Sequence, residues 1–143
     1  MSLLKEIGLM KSLLINVSRV LLALYFLASG IGKFISWDMH VALMETHNMV
    51  MVTVLLAIAG VTQVVGSICL LFNKQVVICA LGFAVMTLLI NLNLHDFWNI
   101  YEGVDVKQET QNFIKNLGVF VGFLLLAAVN MEASTTLEED CDD

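Results

Sequence analysis

The sequence predicts an all-α membrane protein, a bundle of four transmembrane helices, and three observations lead to this fold class. Apolar residues make up 59% of the 143-residue chain and charged residues only 14%, whereas soluble domains average roughly 45–50% apolar and 25% charged. Four apolar segments approach or reach the length that a hydrocarbon core of about 30 Å requires. There is no proline to interrupt a helix.

The four predicted spans differ in length but all must be helical. They cover residues 13–35, the stretch between Asn48 and Asn73, residues 75–94 and residues 116–131. Lipid offers the backbone no hydrogen-bond partner, and the segments do not alternate as barrel strands do, so each span satisfies its own backbone groups. The fourth span is short, so its helix is expected to extend into the polar residues before it.

Two polar segments flank the predicted membrane domain, which covers residues 13–131. Residues 1–12 are mildly amphipathic and are expected to lie in the membrane interface. Residues 132–143 form an acidic tail that is expected to be disordered, because it has too little apolar surface to pack. The chain therefore holds one folded domain.

The connections between spans predict the topology. The second and third spans are joined by little more than residues 73–75, which predicts an antiparallel hairpin. With four spans, the longer loops at 36–48 and 95–112 lie on one side of the membrane, and both termini lie on the other. A slight excess of lysine and arginine near the termini predicts that their side is cytoplasmic, in the cell (inner) membrane.

Charge and motif content exclude several classes of function. The net charge is −6 and no basic stripe suggests nucleic acid as a partner. The three cysteines lack CxxC spacing and predict no disulfide framework. No P-loop, dinucleotide, haem or Ser/His/Asp pattern is present, so no independent catalytic activity is expected. The loop histidines and carboxylates lack metal-ligand spacing and are expected on a solvated surface.

Small and polar residues recur at steps of three and four along each span, which places them on one helix face. Apolar side chains gain little by leaving lipid for one another, so membrane helices associate through small residues and polar contacts. The predicted packing glycines are Gly30, Gly60, Gly118 and Gly122.

Polar residues inside the spans are candidates for ligand binding or for hydrogen bonds that join helices, and Gln63 is expected first of all to bond to another helix, with ligand contact as the alternative. A charge near mid-membrane costs about 2.5–3.5 kcal/mol on insertion scales, so Arg19 either faces the bundle interior or reaches headgroup phosphates. Lys33, at the end of the same span, is interpreted as an interfacial anchor. A proton-handling role for His95 and Asp96 is an alternative. The predicted ligand-binding residues are Arg19, Gln63, Asn91, His95 and Asn116.

Three parts of the chain resemble proteins of the DoxX family. The first predicted span carries the family's arginine, apolar run and small-Gly-x-x-Lys ending, here Arg19, Ser29, Gly30 and Lys33. Residues 59–66 resemble the family's second helix, where many relatives have a glutamate near the position of Gln63. Residues 95–98 and 111–117 are similar to the third loop and the start of the last helix. The resemblance extends over residues 17–128.

The resemblance implies a four-helix membrane protein of a bacterium or archaeon. Some relatives are linked to quinol oxidase or thiosulfate:quinone oxidoreductase systems, most have no assigned activity, and the fold is similar to that of membrane receptors and assembly factors. The leading hypothesis is an accessory component of a membrane redox complex, or a homo-oligomer, that binds a quinone-like or lipid-like molecule in the bundle. The alternatives are a non-catalytic partner or assembly factor, and a small oligomeric transporter.

Overall fold

A computed structural model describes the backbone of residues 2–139 and the side chains of residues 3–132. Its five helices are α1 (Ser2–Ile35), α2 (Trp37–Thr46), α3 (Val52–Leu71), α4 (Val76–Leu94) and α5 (Val106–Glu139). The described residues contain no strand. Four helices are long and apolar enough to cross a membrane, over Leu3–Ile35, Val52–Leu71, Val76–Leu94 and Val106–Glu132. The predicted all-α fold with four spans is therefore confirmed.

The first and last helices are longer than the predicted spans. Helix α1 continues without a break through the predicted interfacial segment. Helix α5 begins at Val106 because Asp105 caps it: its Oδ1 accepts a hydrogen bond of 2.9 Å from the backbone N–H of Lys107. The helix covers Glu132–Glu139 of the predicted acidic tail. Residues 140–143 lie outside the described residues, so the disorder expected there stays a prediction.

The predicted first loop contains the short helix α2. The backbone N–H of Ser36 donates to the Gly32 carbonyl at 2.9 Å, and the rings of Phe34 and Trp37 stack with centroids 6.2 Å apart. These contacts fold α2 against the end of α1. At 10 residues α2 is too short to cross a bilayer, so it covers one end of the bundle.

A tight turn connects α3 to α4. Asn73 and Gln75 adopt left-handed backbone angles, with φ of 55° and 51°, and the backbone N–H of Lys74 donates to the Cys69 carbonyl at 2.8 Å. Asparagine tolerates this conformation better than most residues. We call this end of the bundle the turn end, and the opposite end, which holds α2 and the α4–α5 connection, the loop end.

The helices associate as two pairs, α1 with α3 and α4 with α5, and the contacts between the pairs are less extensive. The pairs meet most closely toward the turn end, around three phenylalanine rings. The centroid of Phe26 lies 4.6 Å from that of Phe83 and 4.7 Å from that of Phe123. The surrounding core residues are Ala23, Leu70, Val76, Ala80, Ala84, Leu126 and Ala127.

Candidate ligand-binding groove

A groove of about 680 Å³ lies between the two helix pairs at the loop end, and all five helices contribute to its lining. Its walls are mainly apolar, with Phe26, Met44, Leu56, Met86 and Val119 among the lining side chains. The volume falls within the roughly 300–1,000 Å³ of small-molecule sites. The polar lining residues are Ser29, Lys33, His40, Gln63, Thr87, Asn93, His95, Asn112, Lys115 and Asn116.

Gln63 is the most deeply buried amide in the lining, with 2% of its surface exposed. Its Oε1 has no hydrogen-bond partner among the described residues. Gly30 lies directly against it, because a Cβ at Gly30 would be only 2.8 Å from the Cβ of Gln63. A buried polar atom without a partner costs about 1–3 kcal/mol, so this oxygen favours any ligand group that donates a hydrogen bond.

His95 lines the groove with its imidazole held by Glu109. The Nδ1 of His95 lies 2.5 Å from Oε2 of Glu109, and the two side chains are 17% and 12% exposed. An ionised carboxylate only accepts hydrogen bonds, so Nδ1 is the donor. The other ring nitrogen is then the atom of His95 that can accept or donate a proton at a ligand.

Asp96 belongs to a separate network and not to a pair with His95. One carboxylate oxygen accepts hydrogen bonds from Asn99 Nδ2 at 2.6 Å and from the Tyr101 hydroxyl at 2.7 Å. The other lies 3.8 Å from Nε2 of His47. The hydrogen bond to Asp96 raises the pKa of Tyr101 above its usual range. This network joins the end of α2 to the α4–α5 connection.

The burial of this network differs from the solvated loop surface expected from the sequence. His47 is 6% and Asp96 is 5% exposed. The two residues lie 49 positions apart by their numbers in the chain, so local sequence patterns give no sign that they meet. Among the side chains of residues 3–132, no three His, Cys, Asp or Glu residues converge as metal ligands.

Arg19 lies away from the groove, toward the turn end, and faces the bundle interior with 8% exposure. Its Nη1 donates to the carbonyl oxygens of Leu70 and, at 3.3 Å, Leu71. Its Nη2 donates to Oδ1 of Asn16 at 3.1 Å. The guanidinium thus satisfies carbonyls at the C-terminus of α3, where a positive charge is also favoured by the helix dipole.

Asn91 does not line the groove either, although it is almost fully buried at 1% exposure. Its Nδ2 donates to the backbone carbonyl of Phe113 at 2.9 Å, which ties α4 to α5. Its Oδ1 has no partner among the described residues. Asn91 is therefore a helix-joining contact behind the groove wall.

The four predicted packing glycines have different surroundings. A Cβ at Gly60 would lie 2.7 Å from Cζ of Phe34, whereas one at Gly122 would meet Leu22 at an ordinary distance of 3.8 Å. Nothing lies within 4 Å of such a Cβ at Gly118. Gly66 is a close contact that the packing prediction did not include, since a Cβ there would lie 2.6 Å from Cζ of Phe83.

Of the predicted ligand-binding residues, Gln63, His95 and Asn116 line the groove, together with two lysines that the prediction did not include. Lys33 was interpreted only as an interfacial anchor. The signal for it was its position seven residues after Phe26, which places both on one face of α1. Lys115 directly precedes Asn116 in the sequence.

Comparison with known proteins identifies one family. A family model described as DoxX matches residues 14–96, more than half of the chain. The matched region includes α3, α4 and the part of α1 that lines the groove, but not α5. No curated protein and no solved structure matches the chain. With this match and four apolar helices able to cross a membrane, the chain belongs to the DoxX family of multi-pass membrane proteins.

Proposed function

We propose that this protein is an accessory, ligand-binding component of a membrane redox system and that its groove binds a quinone-like or lipid-like molecule. The observation that carries the proposal is a mainly apolar groove into which a few polar side chains converge, the usual design of a small-molecule site. The proposed ligand contacts are Gln63, His95 and Asn116. Arg19 and Asn91 are assigned to the scaffold, because both bond to backbone carbonyls away from the lining.

The chemistry of the lining suits a headgroup with oxygen atoms on both sides of a ring. A quinone carbonyl accepts hydrogen bonds, which the amide of Asn116 and a protonated His95 can donate. A quinol hydroxyl donates one, which the unpartnered Oε1 of Gln63 can accept. The apolar walls around these groups accommodate the hydrocarbon part of such a ligand.

Ligand binding is tested by titrating a quinone and its quinol into the protein in bilayer nanodiscs and by extracting co-purified lipids for mass spectrometry. Gln63→Leu should weaken quinol binding about tenfold, since one buried hydrogen bond is lost. The matched control is Thr62→Val, because Thr62 is the exposed neighbour of Gln63 on α3 and does not line the groove. Absence of binding in both the titration and the extract would rule out the proposal.

The cellular setting forms the second part of the proposal. We place the protein in the inner membrane with both termini in the cytoplasm and with a redox enzyme as its partner. The topology predicts that a single cysteine at Ile100, which is 91% exposed in the α4–α5 connection, is labelled from the opposite side to one at Lys74. Labelling of both cysteines from the same side would contradict the predicted topology. Purification of the native protein without a redox subunit would contradict the proposed partnership with a redox enzyme.

A further inference from the structure

Two lysine side chains line the groove without a carboxylate partner. The Nζ of Lys33 donates to the hydroxyl of Ser29 at 3.1 Å, and the Nζ of Lys115 donates to Oδ1 of Asn112 at 3.0 Å. Both acceptors are uncharged. Among the side chains of residues 3–132, the ion pairs involve histidine and not these lysines.

Two carboxylates of the loop end are already engaged, and the exposed Asp38, five residues after Lys33, forms no ion pair with it. Glu109 is bonded to His95, and Asp96 accepts hydrogen bonds from Asn99 and Tyr101. No aspartate or glutamate lines the groove. The loop end of the groove therefore presents two positive charges, of which Lys115 is exposed and Lys33 is half-buried. The apolar surroundings of Lys33 strengthen its attraction for an anion.

The apolar part of the groove continues from these charges along the helices. Phe26 lies two turns before Lys33 on α1, about 10 Å along the helix axis. Ile58, Val85 and Leu89 line the groove while remaining 57%, 58% and 56% exposed, so the groove is open along its side to the hydrocarbon region of a membrane. A charged end followed by a lipid-facing apolar channel fits an amphiphile whose chain lies between the helix pairs.

We propose that the groove binds a single-chain amphiphile with a carboxylate headgroup, held between Lys33 and Lys115 with its chain along Phe26 and Leu56. The inference rests on the proposed function, because it concerns the same groove, and it narrows the ligand class. A neutral quinone leaves both lysines without a counterion. A volume of about 680 Å³ accommodates one chain with a small headgroup.

The experiment compares two probes that differ only in the headgroup. A long-chain fatty acid with a photoreactive diazirine in its chain, and the corresponding alcohol, are added to the protein in phosphatidylcholine nanodiscs at a pH where the acid is ionised. Cross-linked residues are found by mass spectrometry. We expect the acid to label the groove about tenfold more than the alcohol, the effect of a charge-assisted contact.

Variants assign the effect to the two lysines. The double variant Lys33→Gln/Lys115→Gln should label equally with acid and alcohol, while Lys33→Arg should keep the preference for the acid. Unchanged alcohol labelling shows that a variant is folded. Lys107→Gln is the matched control, since Lys107 is an exposed lysine in the first turn of α5 that does not line the groove.

The outcomes separate this inference from the proposed function. If acid and alcohol label the groove equally in the unmodified protein, the carboxylate proposal is overturned and the groove still binds an amphiphile. If neither probe labels the groove and no quinone binds, both proposals fail. If phosphatidylglycerol in the nanodisc abolishes labelling by the acid, the lysines hold a phospholipid headgroup and the carboxylate proposal is overturned.

Discussion

The turn end and the loop end of the bundle are built from the same four spans but are packed in opposite ways. At the turn end, Phe26, Phe83 and Phe123 are in mutual contact and Arg19 bonds to the end of α3. Toward the loop end, a groove separates the helix pairs. The contrast predicts that stability is concentrated at the turn end, whereas the proposed ligand-binding groove lies toward the loop end.

The largest effect on stability is expected from Phe83→Ala. Phe83 is 1% exposed and contacts both other rings of the turn end. The cavity left behind should lower the free energy of unfolding by about 3 kcal/mol, measured by SDS titration in mixed micelles. Phe72→Ala is the matched control, because Phe72 is 72% exposed next to the same turn. Equal losses for the two variants would mean that the turn end is not a packed core.

A somewhat smaller loss is expected from Arg19→Met. The substitution leaves carbonyls at the end of α3 without their donor, which should cost about 2 kcal/mol in the same SDS titration. Arg19→Lys keeps the charge but has fewer hydrogen-bond donors, so its stability should lie between those of the unmodified protein and Arg19→Met. Lys11→Met, at an exposed position of α1, should change little. Weaker binding of the groove ligand by a folded Arg19→Met protein would show that Arg19 acts on the ligand.

A pair of glycine substitutions tests how closely the helices approach. Gly30→Ala places a Cβ 3.1 Å from the backbone nitrogen of Val64, which cannot move freely, and should destabilise the protein by about 1 kcal/mol. Gly118→Ala meets nothing within 4 Å and should be neutral or stabilising by up to about 1 kcal/mol, from helix propensity alone. The same SDS titration measures both. Similar effects at the two sites would contradict the close approach at Gly30.

The smallest effect on stability is expected at the loop end, from the ionisation of Tyr101. Its pKa is raised by the hydrogen bond to Asp96, so the proton is held more tightly in the folded state. The bond therefore contributes stability below the ordinary pKa of tyrosine, and this contribution is lost as the pH rises through the raised pKa. Absorbance titration of tyrosinate in Asp96→Asn should show the Tyr101 pKa moving back toward its ordinary value. An unchanged titration would exclude Asp96 as the cause.

The helical spans could be predicted from the sequence because the lipid requires their residues to be mostly apolar, and hydropathy measures this property directly. The start of α5 could not be predicted from hydropathy alone, because the first turns of the helix are polar and are not counted as part of an apolar span. Asp105 provides a second signal as a helix-capping residue, and its Oδ1 accepts the N–H of Lys107. Helix α2 lacks a long apolar run, so hydropathy indicated only a loop, and Ser36 at its N-cap makes no side-chain hydrogen bond to the helix.

The site was predictable only in part. The spacing of polar residues shows which side chains share a helix face, but not which helix or cavity that face contacts. Gln63 and His95 lie in the lining, whereas Asn91 on the same stripe as His95 is turned to the backbone of α5. Besides Asn16 on its own helix, Arg19 bonds to two carbonyl oxygens on α3 that lie 51 and 52 residues along the chain. Backbone acceptors have no side-chain signature, so hydropathy and spacing could not reveal them.

The exposed lining residues have a consequence for how affinity is measured. Because Ile58, Val85 and Leu89 leave the groove open at its side, the proposed hydrophobic ligand would reach it by lateral diffusion within the bilayer. Occupancy then depends on the mole fraction of the ligand in the lipid phase, and partitioning into that phase precedes every binding event. A dissociation constant expressed per litre of buffer would vary with the amount of lipid, whereas one expressed as a mole fraction would not.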